Sequence, residues 1–230
     1  MKHLGLGFLA ASVLVSGPAL ADPGEAGQLA LGAERLMGFS HSRHSSESEF
    51  GEQSSTYNNL TLLANPMAGF VTAYSVPRVA LDYFPTQGVS IGGAISYTRV
   101  GISSKLEPNM GESTESSGTL SMFIFSPRVG YAAMFSESVG IWPRAGITYL
   151  KSSTSDDDDE SKSEGSAVAL SIEAPLLFMP VDNVAITLGP TIDYGLSASG
   201  EDTDSEGNTT EDDDNPAHEF GVQGGIVVFL

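Results

Sequence analysis

The 230-residue chain carries 10 Lys+Arg against 29 Asp+Glu, a formal net charge of -19, and no Cys. Acid excess without a clustered basic face excludes nucleic acid as a partner, because a phosphate backbone needs Lys and Arg to replace its counterions. The lack of Cys excludes disulfides, thiolate metal sites and a lipid-modified cysteine anchor.

The chain opens with Met1-Lys2-His3, an apolar run from Leu4 to Val15, and the small-residue site Ala19-Leu20-Ala21. That order is the order of a secretory signal peptide, too short to span a membrane as a helix and expected to be cleaved after Ala21. Residues 1–21 are assigned to the signal and 22–230 to one mature domain. Beyond the signal, no run of about 18 apolar residues offers a helical span.

From Gly27 to His41 the chain reads as a strand, with Leu29, Leu31, Ala33, Met37 and Phe39 on one parity. Arg35 shares that apolar parity while Glu34 and Leu36 fall on the other, a conflict that a bulge near Glu34 would resolve. His41 to Ser55 is polar and expected as loop. Thr56 to Pro66 has strand-like residues but runs into the turn signal Asn65-Pro66-Met67-Ala68-Gly69, so it is either a short extra strand or a loop excursion.

Three hairpins follow. The first runs from Phe70 to Phe84, turns at Pro85-Thr86-Gln87-Gly88 and returns as Val89 to Val100. The second, Gly118 to Leu150, turns at Phe135-Ser136-Glu137-Ser138. It places Phe123, Phe125, Val129 and Tyr131 on one face and Ser126, Arg128 and Gly130 on the other. The two are copies of one pattern: Pro77-Arg78-Val79 matches Pro127-Arg128-Val129, and Val-x-Ile begins eleven residues after each Arg. A looser third copy spans Ala167 to Ser197 with its turn at Met179 to Asn183, and a last strand runs from Glu219 to Leu230. Period two over such lengths means strand, and strands this long exceed the usual five or six residues of globular proteins. A repeat near 50 residues makes the hairpin the unit.

Short connections lie inside the hairpins, and long polar ones lie between them, near 43–69, 104–117, 152–165 and 198–216. With eight strands, this alternation predicts an all-β, eight-stranded antiparallel transmembrane barrel of outer-membrane type, its acidic loops solvated. In hydrocarbon every backbone group must be paired within the protein, which only a closed barrel allows a sheet.

If the apolar parity faces lipid, the lumen receives Arg78, Asp82, Arg128, Arg144, Glu173, Asp193 and Glu219, with Glu34 joining from the first strand. Both signs are present, so a structural network of paired charges filling the lumen is expected, since eight strands leave an interior that side chains can fill. Three lumen arginines forming an anion-selecting constriction are the alternative. Tyr83, Phe84, Phe135 and Phe178 near the short turns, with Tyr97 and Tyr149 toward the long loops, are expected as two interfacial girdles. Pro77 and Pro127 predict kinks or bulges at one level of two hairpins.

The ending, Phe220-Gly-Val222-Gln-Gly-Gly-Ile226-Val-Val228-Phe229-Leu230, resembles the carboxy-terminal strand of Gram-negative outer-membrane proteins. With the signal and the loop asymmetry, the chain resembles the small eight-stranded barrels typified by the OmpA membrane domain and OmpX. The resemblance implies an outer-membrane location, contact with outer-membrane lipid and recognition by the barrel assembly machinery.

No catalytic, metal or cofactor site is expected. Asp202, Asp204, Glu206, Gly207 and Asp213 fit the spacing of a calcium loop, but lack its flanking helices. Divalent cations at this and the other acidic loops are a possible partner. His41 and His44, three residues apart, would be needed by a lipid-modifying enzyme, yet no nucleophile, base and acid come together near them. The expected function is non-enzymatic: an envelope-structural or surface-interaction role through the loops. A narrow solute pore is the first alternative and a lipid-modifying enzyme the second.

Overall fold

A computed structural model describes residues 23–48, 51–62, 76–106, 114–156, 161–212 and 216–230. The expected signal segment, the first part of the predicted second strand (70–75), residues 63–66 and Asp213 lie outside the described residues. The strands are β1 (Leu29–Ser48), β2 (Gly51–Leu62), β3 (Arg78–Tyr83), β4 (Val89–Leu106), β5 (Thr114–Tyr131), β6 (Ala133–Ser136), β7 (Val139–Ile141), β8 (Arg144–Asp156), β9 (Lys162–Glu173), β10 (Leu176–Val181), β11 (Val184–Thr203), β12 (Thr209–Asp212) and β13 (His218–Phe229).

Eight of these are the staves of one closed antiparallel barrel in the order β1-β3-β4-β5-β8-β9-β11-β13, and β13 hydrogen-bonds back to β1. The sheet therefore has no edge at mid-height, as an eight-stranded barrel requires. The three tight turns come at residues 85–88, at Glu137-Ser138 and at Asp182-Asn183, where Asn183 takes a left-handed φ of 64°. β6, β7 and β10 extend the staves toward these turns, an end called lower below.

Alternation of burial follows the sequence parity. Along β3, Arg78, Ala80 and Asp82 are buried while Val79, Leu81 and Tyr83 are exposed. On β5, Arg128 is 8% exposed and its neighbour Val129 57%. This inverts a water-soluble protein, in which the apolar set would be inside.

The upper ends differ from the expected loops. β1 continues to Ser48 and pairs with β2 from Met37↔Leu62 to Ser48↔Gly51, so 41–55 is mostly ladder and Thr56 to Leu62 is strand. β4 and β5 stay paired to Leu106↔Thr114, β8 and β9 to Ser155↔Lys162, and β11 turns back into β12. Two-sided polar strands show no apolar alternation, yet Ser/Thr-rich backbone pairs well when both faces meet water, so the periodicity criterion misses them.

Two further expectations are corrected. Phe84 is not in the lower girdle but fully buried inside the barrel, on the same parity as Asp82. Pro127 causes no bulge: β5–β8 pairing lapses between Phe125↔Tyr149 and Arg128↔Gly146 with the register kept. The missing N–H removes a rung without adding a residue.

Candidate functional site

The bulge foreseen in β1 is present. Between Ala33 and Met37 the chain advances four residues while β13 advances two, from Ile226 to Gly224. Arg35 adopts a φ of 55°, unusual for a residue with a Cβ, and this turns its side chain inward beside that of Glu34. Consecutive residues of opposite charge thus enter the lumen together, where strict alternation would send one of them out.

Around this pair the lumen charges form an alternating chain. Arg128 holds Glu34 through two hydrogen bonds of 2.6 and 2.8 Å and donates to Asp82 at 2.5 and 3.1 Å. Arg144 joins Glu34 to Glu173, the latter at 2.7 Å. Arg35 joins Glu173 to Asp193, both at 2.8 Å. The order Asp82, Arg128, Glu34, Arg144, Glu173, Arg35, Asp193 alternates in sign throughout and draws on β1, β3, β5, β8, β9 and β11. Each charge within the chain is countered on either side and each end by one arginine, which offsets the cost of taking them out of water.

A hydroxyl relay runs alongside. Arg78 donates to Ser126 at 2.9 Å, Ser126 meets Thr148 at 2.8 Å, Thr148 meets Ser171 at 2.6 Å, and Ser171 donates to Asp193. Glu219 is buried on β13 as well. Of the eight lumen charges read from the sequence, six lie in the ionic chain and Arg78 in the relay. Arg35 was missed, although its wrong parity beside Glu34 was the visible signal.

Below the charges sits an aromatic cluster. Trp142, Phe84 and Phe229 lie 5.5 to 6.3 Å apart between ring centroids, packed with Leu177, Ala30, Ala132, Ala185 and Val227. Trp142 donates to Ser90 at 3.0 Å, and the Arg144 guanidinium lies 4.9 Å from its ring centroid, joining the two layers. Gly130 makes this possible: a Cβ there would lie 2.9 Å from Trp142 Nε1 and 2.8 Å from Arg144 Cγ. Cavities beside the ionic chain measure about 10 and 20 Å³, room for about one water each.

The other candidates are placed differently. His41 lies on β1, with Nδ1 2.8 Å from Asn58 Oδ1 and its ring 4.8 Å from that of Phe220. The side chain of His44 is outside the described set. In the acidic β11–β12 hairpin, Asp204 accepts from the amides of Glu206 and Asn208 and from the Asn208 side chain at 2.8 to 2.9 Å, while Gly207 takes a φ of 84°. These bonds hold the Asp204 carboxyl below its ordinary pKa. Its oxygens close a turn within the segment whose spacing fits a calcium loop, and among the described residues no three His, Cys, Asp or Glu gather as metal ligands. On the exterior of β9, Glu164 binds Lys151 at 2.9 Å and also Lys162.

No family model matches the chain, and no curated protein matches it in sequence. Solved structures of similar path include Ail, the attachment invasion locus protein of Yersinia pestis, at 13% identity over 90% of this chain and 100% of that one (TM-score 0.40). OprG of Pseudomonas aeruginosa is 10% identical over 90% and 97% (TM-score 0.48). The outer membrane protease OmpT of Escherichia coli is 10% identical over 92% and 99% (TM-score 0.37). These likenesses carry no activity across, since one architecture hosts many functions.

Proposed function

We propose that the chain is an integral outer-membrane barrel with a sealed lumen, which serves the envelope non-enzymatically through its polar upper hairpins. The observation that carries this reading is the inverted surface: Val79, Leu81, Ile91, Ile95, Phe125, Val129, Leu188 and Ile192 all face outward at 45–58% exposure, while the charges are inside. Water would penalise that arrangement, and hydrocarbon rewards it. The exposed Tyr83, Phe135 and Phe178 below and Tyr97 and Tyr149 above lie where the two lipid interfaces would fall. Sealing is supported by two layers in series, the charge chain and the aromatic cluster. Outer-membrane lipid and the assembly machinery are the partners this reading requires.

Heat-modifiable migration on a denaturing gel, together with conductance of the refolded protein in a planar bilayer, tests both halves. A heat shift with no current is expected. Discrete current steps lost on Arg128→Gln or Arg144→Gln would establish the pore instead. Extraction without detergent would remove the membrane reading altogether.

A further inference from the structure

The ten Lys and Arg are distributed unevenly. Lys2 lies in the expected signal, and Arg35, Arg78, Arg128 and Arg144 point into the lumen. The remaining five, Arg43, Arg99, Lys105, Lys151 and Lys162, all lie on the upper parts of the strands. The lower end, among the described residues, carries Glu25, Glu137 and Asp182 and no cation. Among the described residues of a chain so acidic, the exposed cations Arg43, Arg99, Lys151 and Lys162 all fall at one margin of the apolar belt.

At that margin the registers of β4, β5 and β8 build a specific surface. Tyr97 is opposite Phe123, and Phe123 is opposite Lys151; one step higher, Arg99 is opposite Ser121, and Ser121 is opposite Ser153. Tyr97, Phe123, Tyr149 and Lys151 are exposed and line, with Ser121, an exterior groove of about 310 Å³. Arg99 and Lys151 flank Ser121 from either side, about 12 Å apart along and across the sheet, a gap that two long side chains can close on one anion. Lys151 already shares Glu164 with Lys162, so with Glu201 nearby the two ammonium groups are matched by two carboxylates, and Arg99 supplies the positive excess of the patch. Glu201, opposite Glu164 on β11, bounds the patch on its far side.

We infer that this face holds a phosphorylated membrane lipid, its phosphate between Arg99 and Lys151 and an acyl chain along Tyr97, Phe123 and Tyr149. The inference rests on the membrane-barrel reading and adds a site to it. A lipid is favoured over a soluble phosphate because the apolar groove continues directly below the cations, and aromatic and basic side chains suit the interface of an anionic leaflet.

The test uses the barrel in nanodiscs of zwitterionic phospholipid, titrated with a bis-phosphorylated acylated disaccharide lipid and with the same lipid stripped of phosphate, bound lipid being counted by native mass spectrometry. Preference for the phosphorylated form is expected, falling about fivefold in Arg99→Gln or Lys151→Gln and about thirtyfold in the double variant. Arg43→Gln, on the far-side strand β1, is expected to change it less than twofold, so the loss is not one of bulk charge. Ser121→Glu, which keeps both cations and sets a carboxylate between them, is expected to match the double variant. Equal binding of the two lipids, an unchanged double variant, or displacement by inorganic phosphate at millimolar concentration would overturn the site. The heat shift is measured on each sample, so that a chain which never forms a barrel counts against the membrane reading and not against the groove.

Discussion

Arg128 and Glu34, 94 residues apart in the chain, meet inside the barrel in a two-pronged ion pair of 2.6 and 2.8 Å. Glu34 also receives Arg144, so it stands between two guanidinium groups. Glu34→Ala is therefore expected to destabilise the folded barrel by about 3–5 kcal/mol, because two buried cations lose their common partner. Urea unfolding in lipid vesicles measures this. A loss below about 0.5 kcal/mol, the usual range for exposed surface positions, would mean that the lumen charges are watered and not paired. Replacing Glu34 and Arg128 together is expected to cost less than the two single losses added.

Trp142 is the only Trp in the chain, and it is fully buried against Phe84 and Phe229. Its fluorescence is expected to resist quenchers attached to lipid tails as well as aqueous iodide, since it faces neither medium. Efficient quenching from brominated lipid would show that the inward and outward faces are reversed. Trp142→Ala is expected to cost about 3–5 kcal/mol, the range for a large buried aromatic.

Glu164 titrates apart from ordinary carboxyls. Hydrogen bonds from Lys162 and Lys151, with their charges, hold its pKa down to about 2. A folded-state pKa below the unfolded one means that the contribution is full above the ordinary range near about 4.3 and fades as pH falls toward 2. Lys151 is raised by the same pair, so its share is present below its ordinary range and lost as pH rises through the shifted value. Carbon-13 shifts of the Glu164 carboxyl should show no titration between pH 6 and about 4; a midpoint near the ordinary carboxyl value of about 4.3 would dissolve the cluster.

Asp204→Ala is expected to act locally. Faster amide exchange at Glu206 and Asn208, whose N–H groups the carboxylate accepts, should appear without any change in the unfolding midpoint of the barrel. A fall in the midpoint would mean that the β11–β12 hairpin is part of the cooperative unit.

Much of this was open to reading from residue types. The Arg128/Val129 contrast, the matched Pro-Arg-Val segments and the three short turns carry the period-two signal that a half-apolar strand must have. Phe84 was legible as well: it shares parity with Asp82, and its nearness to a turn misled. The β1–β2 ladder was not legible, because its sequence is largely polar and offers no apolar alternation to read. Arg35 falls between these cases. Alternation announces a conflict there, but only a left-handed backbone angle shows which of the two neighbours yields.

That bulge has a kinetic consequence. Glu34 and Arg35 come from the first stave, while their partners Arg144, Glu173 and Asp193 lie on the fifth, sixth and seventh, as far as 158 residues along. A growing sheet that has not yet come round leaves Glu34 and Arg35 without these partners, and contacts of such sequence separation form late. Closure and neutralisation therefore happen as one event. Folding into a bilayer should pass from open to closed in a single slow step whose rate drops when any link of the charge chain is removed.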